Sequence, residues 1–476
     1  MSEQKVVTRF APSPTGFIHV GNIRTALYAW LLARKNNGQF ILRVEDTDKE
    51  REVVGSIEHI KKSLKWLGLN WDQGPDVGGP YAPYIQSERL PLYKKYAEIL
   101  IKKGLAYADP FSEEEIEKFR QQAETDKKPF LYREHRPEIT PVWDGTTPLR
   151  FKISELKRTE WKDVVWGELS AGPEALDDFI LIKSDGYPTY NFAHVVDDIE
   201  MGVTHVVRGQ EFISSTPKFL ALYEALGVKP PLFVTTPPIM GADGKKKLGK
   251  RDGAKDIMDY EKEGYLPETI INYLAFLGFN PGGEKEVYTR EELINVFDLT
   301  KVHHAGAQWS DDKLDWMNKE HIKMLPYEEV EKNILHCLPE GMKNPKLVPL
   351  VLERISKWSD VEEMVQKGEL NFFVEQPKYN KEKLIFKNTS PQKISENLKE
   401  AFIALEKIDE KDFNQENIKS ILMSIAEKLD SRGEILHPVR FALSGLDKSP
   451  DPFIIADILG KTETLARLEH AASLIS

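Results

Sequence analysis

The chain has 476 residues, of which 41% are hydrophobic and 30% charged, and its formal net charge is −11. That length exceeds what one hydrophobic core serves, so several domains are expected, and the composition is that of a soluble globular protein. The acidic balance argues against bulk, sequence-independent attraction to nucleic acid, which shows as a basic domain, and leaves only a local basic surface for such a partner.

In chain order, Met1 to Phe10 carries Glu3 and lacks the apolar core of a signal peptide. Val6, Val7 and Phe10 make a short strand, and after the turn residues of "APSPTG" the apolar positions Ile23, Ala26, Leu27, Trp30 and Leu31 fall on one helical face. "QFILRVEDTD", 39–48, reads as a second strand, followed by a helical pattern through Ile57, Ile60, Leu64 and Leu67. Strand, helix, strand, helix implies a parallel sheet, and 84–103 adds a further helix. The stretch "TDKKPFLYREHRPEITPVWDGTTPLRF" is rich in proline and charge, and short strand-like runs such as "DDFILIKSDGYPTYNF" follow it. These mark an α+β insertion over 111–194 that splits a nucleotide-binding domain into 1–110 and 195–240. The parallel pattern resumes with "HVVRGQEF", 205–212, a helix to Leu226 and "PLFVTTPPIM". A loop-led region, 241–325, precedes an overwhelmingly helical one, 326–476. Cys337 is the only cysteine, which excludes a disulfide framework or a thiolate cluster for structural zinc and suits a reducing compartment. The longest apolar stretch, near Ile270 to Phe279, is interrupted by Asn272 and too short to span a bilayer. A cytoplasmic protein without membrane partners is expected.

In a parallel sheet flanked by helices, ligands sit outside the carboxyl ends of the strands. "PSPTGFI" lies on that edge, which puts His19 and Gly21 at a helix N-terminus. Such an end offers unpaired N–H groups and a positive dipole that suit phosphate. Gly21 lets a phosphate approach the backbone, and His19 can donate to an anionic oxygen without acting as a nucleophile. His-x-Gly by itself is more often a structural histidine. A second feature favours phosphate: "GADGKKKLGKRDGAKD", 241–256, sets five lysines and one arginine among four glycines directly after a strand, as a pyrophosphate-holding loop requires. Gly244 to Lys250 spells G-x-x-x-x-G-K, but Arg251 stands where a P-loop carries the Ser or Thr that ligands magnesium. The P-loop reading is rejected.

"RFAPSPTGFIHVGNIRTAL", "ILRVEDTD", "SDGYPTYNFAHVVDDIEMGVTHVVRGQEFISSTP" and "KLGKRDGA" resemble the bacterial-type glutamyl-tRNA synthetases, a family of class I aminoacyl-tRNA synthetases. The similarity runs over nearly the whole chain, weakens after about residue 325 and returns at "GEILHPVRFALSG". The resemblance implies a Rossmann-type catalytic domain (1–110 and 195–240), an acceptor-end insertion (111–194), a stem-contact region with the cationic loop (241–325) and an anticodon-binding region (326–476). It implies ATP-dependent attachment of L-glutamate to tRNA(Glu) through a glutamyl-adenylate, with release of AMP and pyrophosphate.

The family's HIGH signature would be His19-Val20-Gly21-Asn22 and its KMSKS signature Lys247-Leu248-Gly249-Lys250-Arg251. By resemblance His19, Gly21, Lys247 and Lys250 are the catalytic residues, and Asn22, Glu211 and Arg251 join them around ATP. Glutamate, with two carboxylates and one ammonium, would meet Arg9 and Arg208 through their planar forks, Glu45 and Ser13 at the ammonium, and Tyr190 and His194 along its side chain. ATP with Mg2+ is the expected cofactor, and no structural zinc is expected because no cysteines flank Tyr107. The expected acceptor is tRNA(Glu), whether tRNA(Gln) is charged as well stays open at this point, and the expected state is a monomer. Activation is expected to wait for the tRNA. Two departures stand out: Gly249 replaces the usual serine of the second signature, and His194 sits where asparagine is common. The alternatives are a non-catalytic RNA-binding or regulatory protein on a synthetase fold, which would be expected to have lost the ATP motifs, and glutamate transfer to a modified tRNA base, whose enzymes lack the long carboxyl-terminal region.

Overall fold

A computed structural model describes residues 5–249 and 255–475, and the chain divides into two units, Met1–Met317 and Asn318–Ser476. In the first, strand β1 (Val7–Phe10) pairs in parallel with β2 (Gln39–Leu42), with Arg9 opposite Ile41. Phe40, Ile41 and Leu42 are all fully buried, the continuous apolar run of a parallel strand covered on both faces. The helix between them, α1 (Val20–Lys35), buries the five residues expected on its apolar face together with Arg24 and Tyr28. Burial reaches round the helix because Tyr28 Oη donates to Ala275 O at 2.9 Å, tying α1 to a later helix, α8 (Pro267–Phe276), on its far side. The helix expected after β2 is α2 (Ser56–Trp66), and α3 is Leu90–Lys102.

Strand β3 (Ala106–Ala108) precedes the expected start of the insertion at 111 and α4 (Glu113–Thr125) follows it, and β3, β4 (Leu149–Phe151) and β7 (Phe179–Ile182) form an antiparallel sheet in that order. Two ion pairs fasten it, the first of them buried: Arg150 Nε to Asp109 Oδ2 at 2.5 Å and the half-buried Arg136 Nη2 to Asp178 Oδ1 at 2.6 Å, with Tyr107 Oη donating to Asp178 at 2.8 Å. The hairpin β5 (Thr159–Asp163) and β6 (Gly167–Ala171) does not stay within the insertion. It joins the parallel pair β8 (His205–Gly209) and β9 (Leu232–Thr236) in a sheet of order β6-β5-β9-β8. Its Asp163 accepts from Thr235 Oγ1 at 2.6 Å, and the hairpin covers what would otherwise be an exposed edge of β9. Helix α5 (Tyr190–Glu200) runs through the expected boundary at 194, and α6 is Thr216–Leu226.

β1 and β8 are stitched together where Thr204 N donates to Val7 O at 2.9 Å and Val7 N donates to Thr204 Oγ1 at 2.9 Å. Arg9 on β1 and Arg208 on β8 therefore stand near the carboxyl ends of neighbouring strands. After β9 come β10 (Ile239–Met240), α7 (Ile257–Lys262), α8 and α9 (Arg290–Val296).

The second unit is helical. The unit boundary falls within α10 (Asp311–Met324); beyond it come α11 (Tyr327–Cys337), α12 (Val348–Leu352), α13 (Ser359–Gln366), α14 (Pro391–Glu406), α15 (Gln415–Ala426), α16 (Gly433–Ser444), α17 (Pro452–Leu459) and α18 (Lys461–Ile475), with α14 and α18 the longest packed pair. In α14, Ile394, Leu398, Ala401 and Leu405 recur at helical spacing and are fully buried. Arg467 of α18 is 3% exposed and donates to Phe372 O and Leu443 O at 2.6 Å and to Glu375 O at 3.1 Å. No helix among the described residues is long and apolar enough to cross a membrane.

Arg467→Met keeps the volume but strands three carbonyls, so the helical unit should lose about 2 kcal/mol or more in urea unfolding; an unchanged midpoint would show that water replaces the guanidinium at no cost.

Candidate active site

Two consecutive aspartates on α5 organise one half of the candidate site. Asp198 accepts from Arg9 Nε at 3.1 Å and Nη2 at 3.4 Å, and from Arg43 Nη1 at 2.8 Å. Arg43, fully buried, also donates through Nη2 to Glu45 Oε1 at 3.0 Å. Asp197 accepts from Arg89 Nε at 2.8 Å, Gln86 Nε2 at 2.8 Å and Tyr93 Oη at 2.9 Å. Arg9 thus turns its fork towards Asp198, with Nη1 donating to Val207 O at 3.4 Å.

Arg208 is not paired in this way. Its Nη2 donates to Thr216 Oγ1 at 2.8 Å, but Nε and Nη1 are buried without a hydrogen-bond partner among the described residues. The guanidinium carbon lies 4.7 Å and 4.6 Å from the ring centres of Phe219 and Phe233. A buried cation with unmet donors is costly unless an anion arrives to meet them. Four guanidiniums, Arg9, Arg43, Arg89 and Arg208, face three carboxylates, Glu45, Asp197 and Asp198. The cluster carries an uncompensated positive charge.

The titration behaviour follows. Burial pushes the Asp198 carboxyl up, but Arg9 and Arg43 outweigh it and hold it at about 2. Burial dominates at Glu45 and lifts it to about 7 against the pull of Arg43 and Arg9. Burial lowers Arg208 to about 10, opposed by Tyr190. It drives His194 down to about 3, so that imidazole is neutral at pH 7. His194 Nδ1 donates to Tyr190 O at 2.8 Å, a carbonyl being able only to accept, and its ring stacks on Tyr190 at 4.7 Å. Tyr190 stacks in turn on Phe212 at 5.2 Å. Ser13 is exposed in the loop after β1.

The other half is a cleft of about 320 Å³ that gathers His19, Gly21, Asn22, Glu211 and Lys247, with Gly209 and Thr236 from the ends of β8 and β9. His19 caps α1: its Nδ1 accepts from Gly21 N at 3.1 Å, and Asn22 Oδ1 accepts from His19 N at 3.3 Å. Asn22 N and Ile23 N donate to His19 O at 3.0 and 3.1 Å. Two of the first-turn N–H groups expected to be unpaired, those of Gly21 and Asn22, are therefore engaged by the histidine itself. Because Nδ1 accepts, the neutral ring carries its proton on Nε2. A Cβ at Gly21 would stand 2.9 Å from His19 Cε1, so the glycine first of all makes room for the imidazole.

Across the cleft Lys247 Nζ pairs with Glu211 Oε2 at 3.2 Å, both side chains about half exposed. The loop bearing Lys247 is held where Leu248 N donates to Ile239 O at 2.7 Å and Gly241 N to Lys246 O at 2.8 Å. Lys250 and Arg251 lie outside the described residues. Among the described residues no group of three or more His, Cys, Asp or Glu is placed to hold a metal ion.

Arg24, Arg43, Asp197 and Asp198 were not singled out from the sequence. Their signal was there: "FILRV" and "FAHVVDDI" each set charge inside an apolar run, where only a paired or ligand-facing ion survives burial. Arg24, 3% exposed, lines the same cleft and donates from Nη1 to Leu277 O at 2.7 Å and from Nη2 to Pro237 O.

Residues 5–316 match the family model for the catalytic domain of class I tRNA synthetases (E and Q), and residues 309–472 match that for an anticodon binding domain. A glutamate–tRNA ligase of Clostridium botulinum is 44% identical, with 98% of this chain and 97% of that protein aligned. One of Clostridium tetani is 41% identical, with 98% of each aligned. The crystal structure of a glutamate tRNA ligase from Elizabethkingia meningosepticum in complex with its amino acid has a TM-score of 0.89 at 34% identity, covering 99% of this chain and 100% of that one. The glutamate-tRNA synthetase of Elizabethkingia anophelis has a TM-score of 0.84 at 34% identity, with the same coverage.

Glu45 titrates at about 7 in the folded chain against 4.5 ordinarily. Its contribution to stability is present below pH 4.5 and lost as pH rises through 7. Glu45→Gln should therefore match the wild type in denaturant unfolding at pH 4.5 and exceed it at pH 8, by at most about 3 kcal/mol. Equal stabilities at both pH values would place the Glu45 carboxylate at its ordinary value.

Proposed function

The chain belongs to the glutamate–tRNA ligases, class I tRNA synthetases, and from that premise we propose how its residues divide the work. The reaction joins glutamate to tRNA. Glutamate enters with two carboxylates and one ammonium, a net charge of −1, which matches the excess positive charge around α5. In this reading the buried Nε and Nη1 of Arg208 take one carboxylate, assisted by the remaining N–H groups of Arg9. Glu45, ionised by the arriving cation, takes the ammonium beside Ser13, and the Tyr190–His194 stack walls the side chain. The unmet donors of Arg208 carry this assignment: glutamine, net neutral, would leave them with an amide where they call for an anion.

ATP, arriving with Mg2+, lies in the cleft between α1 and the Lys247 loop. The α-carboxylate attacks the α-phosphorus, pyrophosphate leaves, and a ribose hydroxyl of the tRNA then attacks the acyl carbon and releases AMP. No protein nucleophile is needed, so the protein's contribution is positioning and charge. His19 donates from Nε2 to phosphate oxygen, and Asn22 stands at the same end of α1. Lys247 exchanges Glu211 for the phosphates, which frees Glu211 for the nucleoside. Lys250 and Arg251 complete the loop's charge in this proposal, although they lie outside the described residues. The acceptor is tRNA(Glu), with tRNA(Gln) as a second acceptor to be tested; the chain acts as a monomer in the cytoplasm, and its helical unit reads the anticodon.

Charging of bulk tRNA with radiolabelled glutamate or glutamine tests the proposal: glutamate should be attached in an ATP-dependent manner and glutamine should not. Arg208→Lys keeps the charge but not the fork, and should raise the glutamate KM roughly 30-fold or more, from about 2 to 5 kcal/mol of lost pairing. A glutamate KM unchanged by lysine would remove Arg208 from the pocket. His19→Ala should lower kcat by about 3 kcal/mol of barrier, on the order of 100-fold, with the glutamate KM little changed; an unaltered kcat would leave His19 as a helix cap only. Deletion after Leu325 should leave a fragment that binds ATP but charges poorly, the loss falling on the tRNA KM. A fragment that still separates tRNA(Glu) from an anticodon-mutated version would move anticodon reading elsewhere.

A further inference from the structure

Behind the N-terminus of α1 stands His59, on α2, its side chain 13% exposed. The start of α2 holds the loop that leads into α1 at three places. Val53 N donates to Pro14 O at 2.9 Å, Ser56 Oγ donates to Gly16 O at 2.9 Å, and the His59 ring stacks on Phe17 at 4.5 Å with 21° between the planes. The other side of the same ring reaches a different part of the chain: Nε2 lies 2.8 Å from Asp256 Oδ1. A carboxylate can only accept, so Nε2 is the donor, and Nδ1 is buried without a partner among the described residues.

Asp256 leads back to the site. It forms an antiparallel bridge with His19, and Ile257 N donates to Ile18 O at 3.3 Å. Its Oδ1 also caps α7 by accepting from Met258 N at 2.8 Å. His59 therefore touches Phe17, two residues before His19, on one side, and on the other the residue whose backbone bridges His19. The imidazole of His19 already has little freedom, since it lies over Gly21.

We propose that His59 is a positioning residue for His19: by holding Phe17 and Asp256 together it fixes where the His19 ring meets the phosphates. The inference rests on the assignment of His19 to ATP made above. A purely structural role would lower stability and glutamate binding together with turnover, whereas a positioning role touches the step that His19 serves and nothing else.

The test uses the full chain in ATP-dependent charging of tRNA with glutamate. His59→Phe keeps the stack and removes the donor, and it should lower kcat about tenfold or more, as an error of the order of 1 Å in a reacting group does. Glutamate affinity by calorimetry should stay unchanged. His59→Gln, which restores a donor, should recover most of the loss. Asp256→Ser approaches the contact from the other side: it still caps α7 but offers the ring no carboxylate, and it should reproduce the loss. The decisive variant combines His59→Phe with His19→Ala. If His59 acts through His19, the pair is no slower than His19→Ala alone. Wild-type turnover in both His59→Phe and Asp256→Ser overturns the inference, as does a multiplicative loss in the double variant or a parallel fall in glutamate affinity. A wild-type chain that fails to charge tRNA would instead overturn the functional reading itself, and an indifferent His19→Ala would remove the premise.

Discussion

The pairing of Arg43 with Asp198 is the constraint on which the half of the site assigned to glutamate depends. Arg43 is fully buried, and its guanidinium joins Glu45 on β2's extension to Asp198 on α5. Asp198 in turn fixes Arg9 on β1. One buried ion thus sets the spacing between the group assigned to the ammonium and a group assigned to a carboxylate. Such pairs gain little net stability over apolar packing, so their value lies in geometry: three elements distant in sequence are held in one arrangement before any ligand arrives.

The same network leaves Arg208 incomplete. It cannot borrow Asp198, whose oxygens are committed to Arg9 and Arg43, and its surroundings are aromatic rings. The fold therefore keeps a desolvated cation, and burial lifts Glu45 to about 7 in the same cluster. Both departures from ordinary behaviour raise the energy of the empty site and are relieved together by a ligand with an anionic and a cationic end. This is the local strain expected where function outranks stability.

Much of this was legible in the sequence. The apolar face of α1, the continuous run of β2 and the start of the glycine–lysine loop after β10 follow from periodicity and turn chemistry. Two things were not legible. Pairing across the chain cannot be read locally: nothing in "VVDDIE" says that one aspartate meets Arg9 and Arg43 while its neighbour meets Arg89. Nor does spacing reveal that β5 and β6, inside an insertion, extend the sheet of β8 and β9, because that depends on which edge is left open. The structure adds a reason for Gly21: besides the expected room for a phosphate, the ring of His19 needs the space a Cβ would take.

The most direct test of the account is a structure of this chain with glutamate bound. The account predicts a carboxylate of glutamate within hydrogen-bond distance of Arg208 Nε and Nη1, the ammonium on Glu45, and Asp198 still holding Arg9 and Arg43. Glutamate bound with Arg208 left unpaired, or Asp198 released from Arg9 to meet the ligand, would contradict it.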